Sequence, residues 1–291
     1  MWEQGRWETA AAAHLERVRR FTGPHRERAA RGEAHPVLDF LFTYYSYRPA
    51  KLERWHPGPG VALAGDAALR YLDLPGYVAT EHGVALGPVP ERARTAGFVR
   101  DLLRATAARP PNLRCFGLHE WAMVYRSPAP RHGAVPLRLG SVGTDAVVEA
   151  AQLRCSHHDA FRFFTEAARP RNAVQPTRSD QIALEQPGCL HAAMDLYKWA
   201  FKLAPATPSE LVADCLELAA DTRELDMRAS PYDLTSFGYR PVPVETPAGR
   251  AEYARTQATL AGRSAPLRDR LITLCDVLLG AHRAPLGGHG A

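Results

Sequence analysis

The chain of 291 residues is short of several signals that usually fix a class early. It has five cysteines, an odd number at irregular spacing, with no CxxC. That excludes a disulfide-stapled scaffold and predicts reduced thiols in a cytoplasmic setting. No apolar run approaches the roughly 18 residues of a membrane span, so no membrane partner is expected. The opening MWEQGRWETAAAAHLERVRR is amphipathic and charged, without the apolar core or cleavage site of a secretory leader. A Gly-rich phosphate loop and a GxSxG elbow are missing, which removes support for nucleotide-dependent transfer and serine hydrolysis. HExxH is missing too, since Glu120 is followed by Trp-Ala-Met. Internal repeats, long linkers and composition breaks are not seen, so one domain is expected over 1–282, with a disordered tail at 283–291.

The hydrophobic fraction is 46% and the charged fraction 23%, ordinary for a globular protein. The formal charge of +5 permits nucleic-acid binding without demanding it. Arginine far outnumbers lysine, so much of that charge is compositional.

Helical patterning dominates. A first helix is expected over about 7–31, broken or kinked at Gly23-Pro24. Short helices follow in PVLDFLFTYYSY and from Ala50 towards His56, and a longer one at about 91–108. YVATEHGVAL (77–86) has strand-like pieces. CFGLHEWAMVYR (115–126) reads as helix, and Val135 to Cys155 as a hairpin. Thr177 to Asp180 offers a helix start. Thr207-Pro208-Ser209-Glu210 fits a capping box opening a helix to about Met227. Its carboxylates Glu210, Asp214, Glu217, Asp221 and Glu224 share one face, which reads as solvated. A last amphipathic helix spans about 246–282. The fold class is therefore mainly α, a single globular helical domain with a small antiparallel β element.

The segment CLHAAMDLYKWAFKLA (189–204) carries the strongest chemical signal. At about 100° per residue, His191, Asp195, Lys198 and Lys202 fall within roughly 60° of one another. The rest of the circumference is apolar, the pattern of a buried helix. Burying these charges is costly unless they pair, so the stripe is either a satisfied ionic network or the lining of a reactive cavity. Two further segments place His beside Cys or acid: Cys115 with His119-Glu120, and Cys155 with His157-His158-Asp159. Two or three His with a carboxylate suit Zn or non-haem Fe. The metal reading uses His119, His157, His158 and His191 with Glu120, Asp159 and Asp195. Buried, hydrogen-bonded core histidines are the plain alternative.

Tyr44, Tyr45, Tyr47 and Trp55 lie among Arg48, Lys51 and Arg54, and Arg169 and Arg171 follow the His157-His158 patch. Aromatics among cations suit a base stacked near its phosphate. The segments HPVLDFLFTYYSYRPAKLERWHPG, CFGLHEWAMVYR, RCSHHDAFRFF and QPGCLHAAMDLYKWAFKLAPATPSELVADCLELA, with LDMRASPYDL, together resemble a bacterial family labelled 3-methyladenine DNA glycosylase. The resemblance covers about 35–260. It implies cleavage of the N-glycosidic bond of an alkylated or otherwise modified base, with DNA or a modified nucleotide as partner and no required cofactor. On that reading Asp195 stabilises charge or activates water, Lys198 tunes it or acts as an amine nucleophile, and His191 orients it. Glu120 and Asp159 are further candidate acids. Tyr44, Tyr45, Tyr47 and Trp55 hold the base, and Arg48, Lys51, Arg169 and Arg171 the phosphates. The alternative is a Zn- or Fe-dependent hydrolase or oxygenase acting on a small molecule. The sequence leaves the oligomeric state open.

Overall fold

A computed structural model describes residues 1–128 and 135–283. From residue 284 on, the expected tail lies outside the described residues. In chain order the helices are α1 (Gln4–Ala30), α2 (Phe40–Thr43), α3 (Pro49–Leu52), α4 (Ala93–Ala107), α5 (Leu118–Ala122), α6 (Gly140–Ala150), α7 (His158–Phe161), α8 (Gln181–Leu184), α9 (Leu190–Lys202), α10 (Ser209–Arg228) and α11 (Pro247–Arg283). The strands are β1 (Ala62–Leu63), β2 (Tyr77–Thr80) and β3 (Gly83–Leu86). The protein is thus mostly helical with one small antiparallel sheet, as expected. The chain divides into two compact units. The first comprises Met1–Asp101, Leu196–Glu217 and residues from Leu267 on, and the second Leu102–Asp195 and Leu218–Pro266.

In the first unit, α1 buries Trp7, His14, Val18 and Thr22, spaced to share one face. It runs through Gly23-Pro24 without the break that was one of the two expected outcomes there. The reason is tertiary: Arg26 pairs with Glu53, and His25 and Arg28 pair with Asp39, which hold the turns beyond the proline. The sheet has the order β1-β3-β2, with Val78 opposite Ala85 and Ala62 on the other side of Ala85. Its strands β2 and β3 are the strand-like pieces read at 77–86. The helices expected around 36–47 and 50–56 shrink to the single turns α2 and α3. Ahead of α10, the Thr207 hydroxyl donates to Ala200 O at 2.7 Å.

In the second unit, the hairpin expected at 135–155 is replaced by α6. Thr144 and Val148 are its buried residues, four apart, and the helical period outweighs the β-branched content. Only single bridges remain there, Leu137 with Tyr232 and Leu153 with Asn172. The helix expected over 115–126 is confined to α5, because Phe116 and Gly117 both take left-handed backbone, φ 49° and 70°. Trp121 Nε1 donates to Ala229 O at 2.8 Å and seats α5 beside the end of α10.

Candidate metal centre

The left-handed pair Phe116-Gly117 turns the chain so that all five residues of α5 are buried. A Cβ at Gly117 would stand 3.2 Å from Ala229 Cβ and 3.3 Å from the Tyr253 ring, so glycine is needed for closeness as well as for φ. Non-glycine strain of the Phe116 kind gathers at functional sites. Here it delivers His119 and Glu120 to the interior.

Three other segments meet them. Gly188 precedes α9, and its closeness to Asn112 O and Gln186 Oε1 leaves no room for a side chain. Gln186 Oε1 accepts from both Asn112 N–H and Gly188 N–H at 2.7 Å, which fixes where α9 begins. Residues 191–200 of α9 are all buried, as its apolar circumference predicts. The second half of α10 contributes Arg223 and Asp226, one turn apart. His157 comes from the segment before α7, where Cys155 N–H donates to Asn172 Oδ1 at 2.8 Å.

Two groups of potential ligands result, both buried: His119, His191 and Asp226, and His157, Glu185 and Asp195. His191 touches both. Its ring lies edge-on to His119 (centroids 4.5 Å) and stacked on His157 (5.2 Å).

In the first group His119 Nε2 and Asp226 Oδ1 form a buried ion pair at 2.8 Å. Behind them, His119 Nδ1 lies 3.5 Å from Cys115 Sγ. Arg223 Nη1 donates to Asp226 Oδ2 at 3.0 Å and to Glu120 Oε1 at 2.8 Å. Burial opposes charge on His119, but Asp226 overrides it and holds the pKa well above the ordinary value. Burial likewise works against the Asp226 carboxylate, and His119 and Arg223 still bring its pKa below normal. His191 goes the other way: burial first, then His119 and His157, hold it well below normal, as a neutral imidazole with a free lone pair.

The second group is built differently. His157 caps α7, its Nδ1 accepting from Ala160 N–H at 3.3 Å. An accepting Nδ1 carries no proton, so the ring proton is on Nε2, which lies 3.4 Å from both Glu185 Oε1 and Asp195 Oδ2. A metal-binding imidazole needs the opposite arrangement, with a bare Nε2 and a donating Nδ1. His119 offers that arrangement once a cation displaces its Nε2 proton, with Nδ1 beside Cys115 Sγ. His157, with Nδ1 accepting, does not in this form, although its nitrogen and the Glu185 and Asp195 oxygens are also close enough together to hold an ion.

Of the residues named from sequence, His119, Glu120, His157, His191 and Asp195 converge in the second unit. His158 and Asp159 do not; they pair with each other at 3.7 Å on α7, with Arg162 close by, because α7 turns them outward. Lys198 and Lys202 belong to the first unit. Lys198 lies over the Trp199 indole, 4.5 Å from its centroid, and Lys202 is exposed. The aromatic faces expected to hold a base are already in use. Tyr47 stacks on Phe201 at 4.6 Å, Tyr45 meets Tyr44 and Tyr197 edge-on, and buried Trp55 donates to Glu210 at 2.7 Å. Burying apolar rings against one another outweighs keeping them open to solvent. Arg48 and Lys51 are exposed. Arg169 and Arg171 instead donate to the carbonyls of Arg162 and Glu149, satisfying loop backbone. The acidic face of α10 is paired, not merely solvated: Asp214 and Glu217 with Arg17, Asp221 with Arg263, Glu224 with Arg228.

Sequence reasoning missed Arg223, Asp226 and Glu185. In DTRELDMR the first two sit among ordinary helix-surface charges. Their one trace is that Asp226 lies between Leu225 and Met227, off the carboxylate stripe. Glu185, before Gln186-Pro187, carries no periodic signal at all. The chain matches no protein-family model, and no curated protein or solved structure is significantly similar to it.

Proposed function

We propose that the protein is a metal-dependent enzyme whose cation is held by His119, His191 and Asp226. One observation carries the reading: His119 Nε2 and Asp226 Oδ1 approach to 2.8 Å in the buried interior, with a His191 nitrogen within 4.8 Å of both. Two donors each about 2.1 Å from a cation stand about 3.0 Å apart at a right angle and about 3.4 Å apart at a tetrahedral one. The spacing favours right angles, and hence a five- or six-coordinate ion. Two imidazoles and one carboxylate then leave positions for water or substrate, the donor set of non-haem iron and of hydrolytic metal sites. Arg223 fixes the second oxygen of Asp226, and Cys115 stands behind His119; such outer partners hold ligands in place. The His157 group, stacked on His191, offers a buried proton donor and acceptor beside the centre, and so gives Asp195 an acid–base role.

The test is elemental analysis of tag-free protein after anaerobic Fe(II) or Zn(II) reconstitution. One metal per chain is expected, lost in His191→Ala and Asp226→Asn and kept in His157→Gln, with helicity by circular dichroism unchanged. Stoichiometric metal in His191→Ala and Asp226→Asn sinks the assignment.

The N-glycosylase reading keeps one supporting observation, the buried Asp195 carboxylate beside an imidazole, suited to stabilising a cationic sugar. The rings expected to form the walls around a flipped base, Tyr44, Tyr45, Tyr47 and Trp55, are engaged by neighbouring side chains. Release of 3-methyladenine from methylated DNA by metal-free wild-type protein, abolished in Asp195→Asn, would reverse the order of the two readings.

A further inference from the structure

A cavity of about 10 Å3 lies in the second unit, bordered by the ligands His119 and His191 and by the thiols of Cys115, Cys155 and Cys189. That volume is room for about one water molecule. Its remaining wall includes Tyr253, 0% exposed, and Gln257, 1% exposed. Both hold unspent hydrogen-bonding capacity. Gln257 Oε1 bonds to no described residue, and the Tyr253 hydroxyl, whose oxygen faces the Gly117 backbone N–H, finds no acceptor for its proton among them. Gln257 is not free to turn away, because its Nε2 donates to Gly188 O at 2.7 Å. The amide is therefore fixed with its oxygen as an acceptor.

A buried donor or acceptor left unmade costs on the order of 1–3 kcal/mol. One of each beside a chamber of single-water size, at the imidazoles proposed as metal ligands, is not a packing accident.

Resting on the metal reading above, we infer that this chamber receives the ligand that completes the cation's coordination, and that it limits that ligand to one or two non-hydrogen atoms. Tyr253 donates a hydrogen bond to it, and Gln257 Oε1 accepts one when the ligand bears a proton. Water or hydroxide fits, as does a diatomic molecule. A bulkier organic donor such as an imidazole does not. Tyr253 and Gln257 are thus specificity-determining residues of the centre.

Co(II)-substituted full-length protein tests the inference, because the visible spectrum of cobalt reports its ligands. Cyanide, with two non-hydrogen atoms, should change the spectrum saturably, while imidazole and acetate should leave it unaltered. Tyr253→Phe should bind Co(II) as tightly as wild type but cyanide about tenfold more weakly, the loss of one hydrogen bond to a charged ligand. Imidazole acting as strongly as cyanide overturns the inference and leaves the metal reading standing. So does wild-type cyanide affinity in Tyr253→Phe. Failure of Co(II) to bind stoichiometrically overturns both.

Discussion

His119 and His191 touch, yet their surroundings drive them to opposite protonation states, the first charged against Asp226 and the second neutral. Buried histidines elsewhere show the same dependence on neighbours. His56, in the first unit, has Nδ1 2.9 Å from the Tyr77 hydroxyl, and burial, aided by Arg54 and His14, lowers its pKa to about 4. Its folded pKa lies below the ordinary 6.5, so between those values the unfolded chain takes up a proton that the native state refuses. Stability is therefore full above pH 6.5 and falls as the pH drops towards 4, by up to about 3 kcal/mol. Urea unfolding at about pH 7 and about pH 4.5 should show that loss in wild type and much less of it in His56→Gln. Equal losses in the two proteins would exclude His56 as the source. At this scale the sequence was readable where chemistry sits next to chemistry, as in His119-Glu120. It was opaque at Arg223 and Asp226, whose burial is decided by what packs on α10 and not by their neighbours in the chain.

Element by element, legibility follows length. The long helices α4, α10 and α11 were each placed within a few residues from periodicity and turn residues, and the burial of α9 over 191–200 was plain from its apolar circumference. Among short elements the strands β2 and β3 were read at 77–86, and others were misjudged. α6 carries enough valine and threonine to pass for a strand, and α5 is trimmed by two left-handed residues that no periodicity reveals. The start of α9 depends on Gly188, where an added Cβ would sit 2.9 Å from Asn112 O, 3.0 Å from Gln186 Oε1 and 3.0 Å from a Leu113 methyl. Neither backbone nor the doubly bonded Gln186 amide can yield cheaply. Gly188→Ala should cost roughly 1–3 kcal/mol in chemical denaturation, although alanine is the better helix-flanking residue by propensity alone. A variant as stable as wild type would mean that this junction tolerates more shift than its hydrogen bonds suggest.

Across the whole molecule, the two units share the chain in alternating pieces, so no single cut in the sequence separates them and no composition break announces them. The class, mainly helical with a small antiparallel sheet, was legible because it depends on averaged patterning. Cysteine usage was legible in the same way. All five cysteines are free, with Cys155, Cys215 and Cys275 buried. Ellman titration in denaturant without reductant should count five thiols per chain, and the three buried ones should react only as the protein unfolds. A count of three or fewer would reveal a disulfide and contradict the thiol-walled chamber.

The order in which the site's parts occur along the chain bears on how it comes into being. His119, His157, Asp195, Asp226 and Gln257 are drawn from successive stretches, and the bond from Gln257 to Gly188 bridges 69 positions. During synthesis from the N-terminus, the sheet of the first unit can pair once residue 86 has emerged, since its strands are neighbours in sequence. The chamber cannot close until the first turns of α11 exist. A nascent chain that has emerged from the ribosome only as far as residue 251 would present every ligand proposed for a cation but neither Tyr253 nor Gln257, so on the metal reading the ligand set precedes the residues that select what completes it.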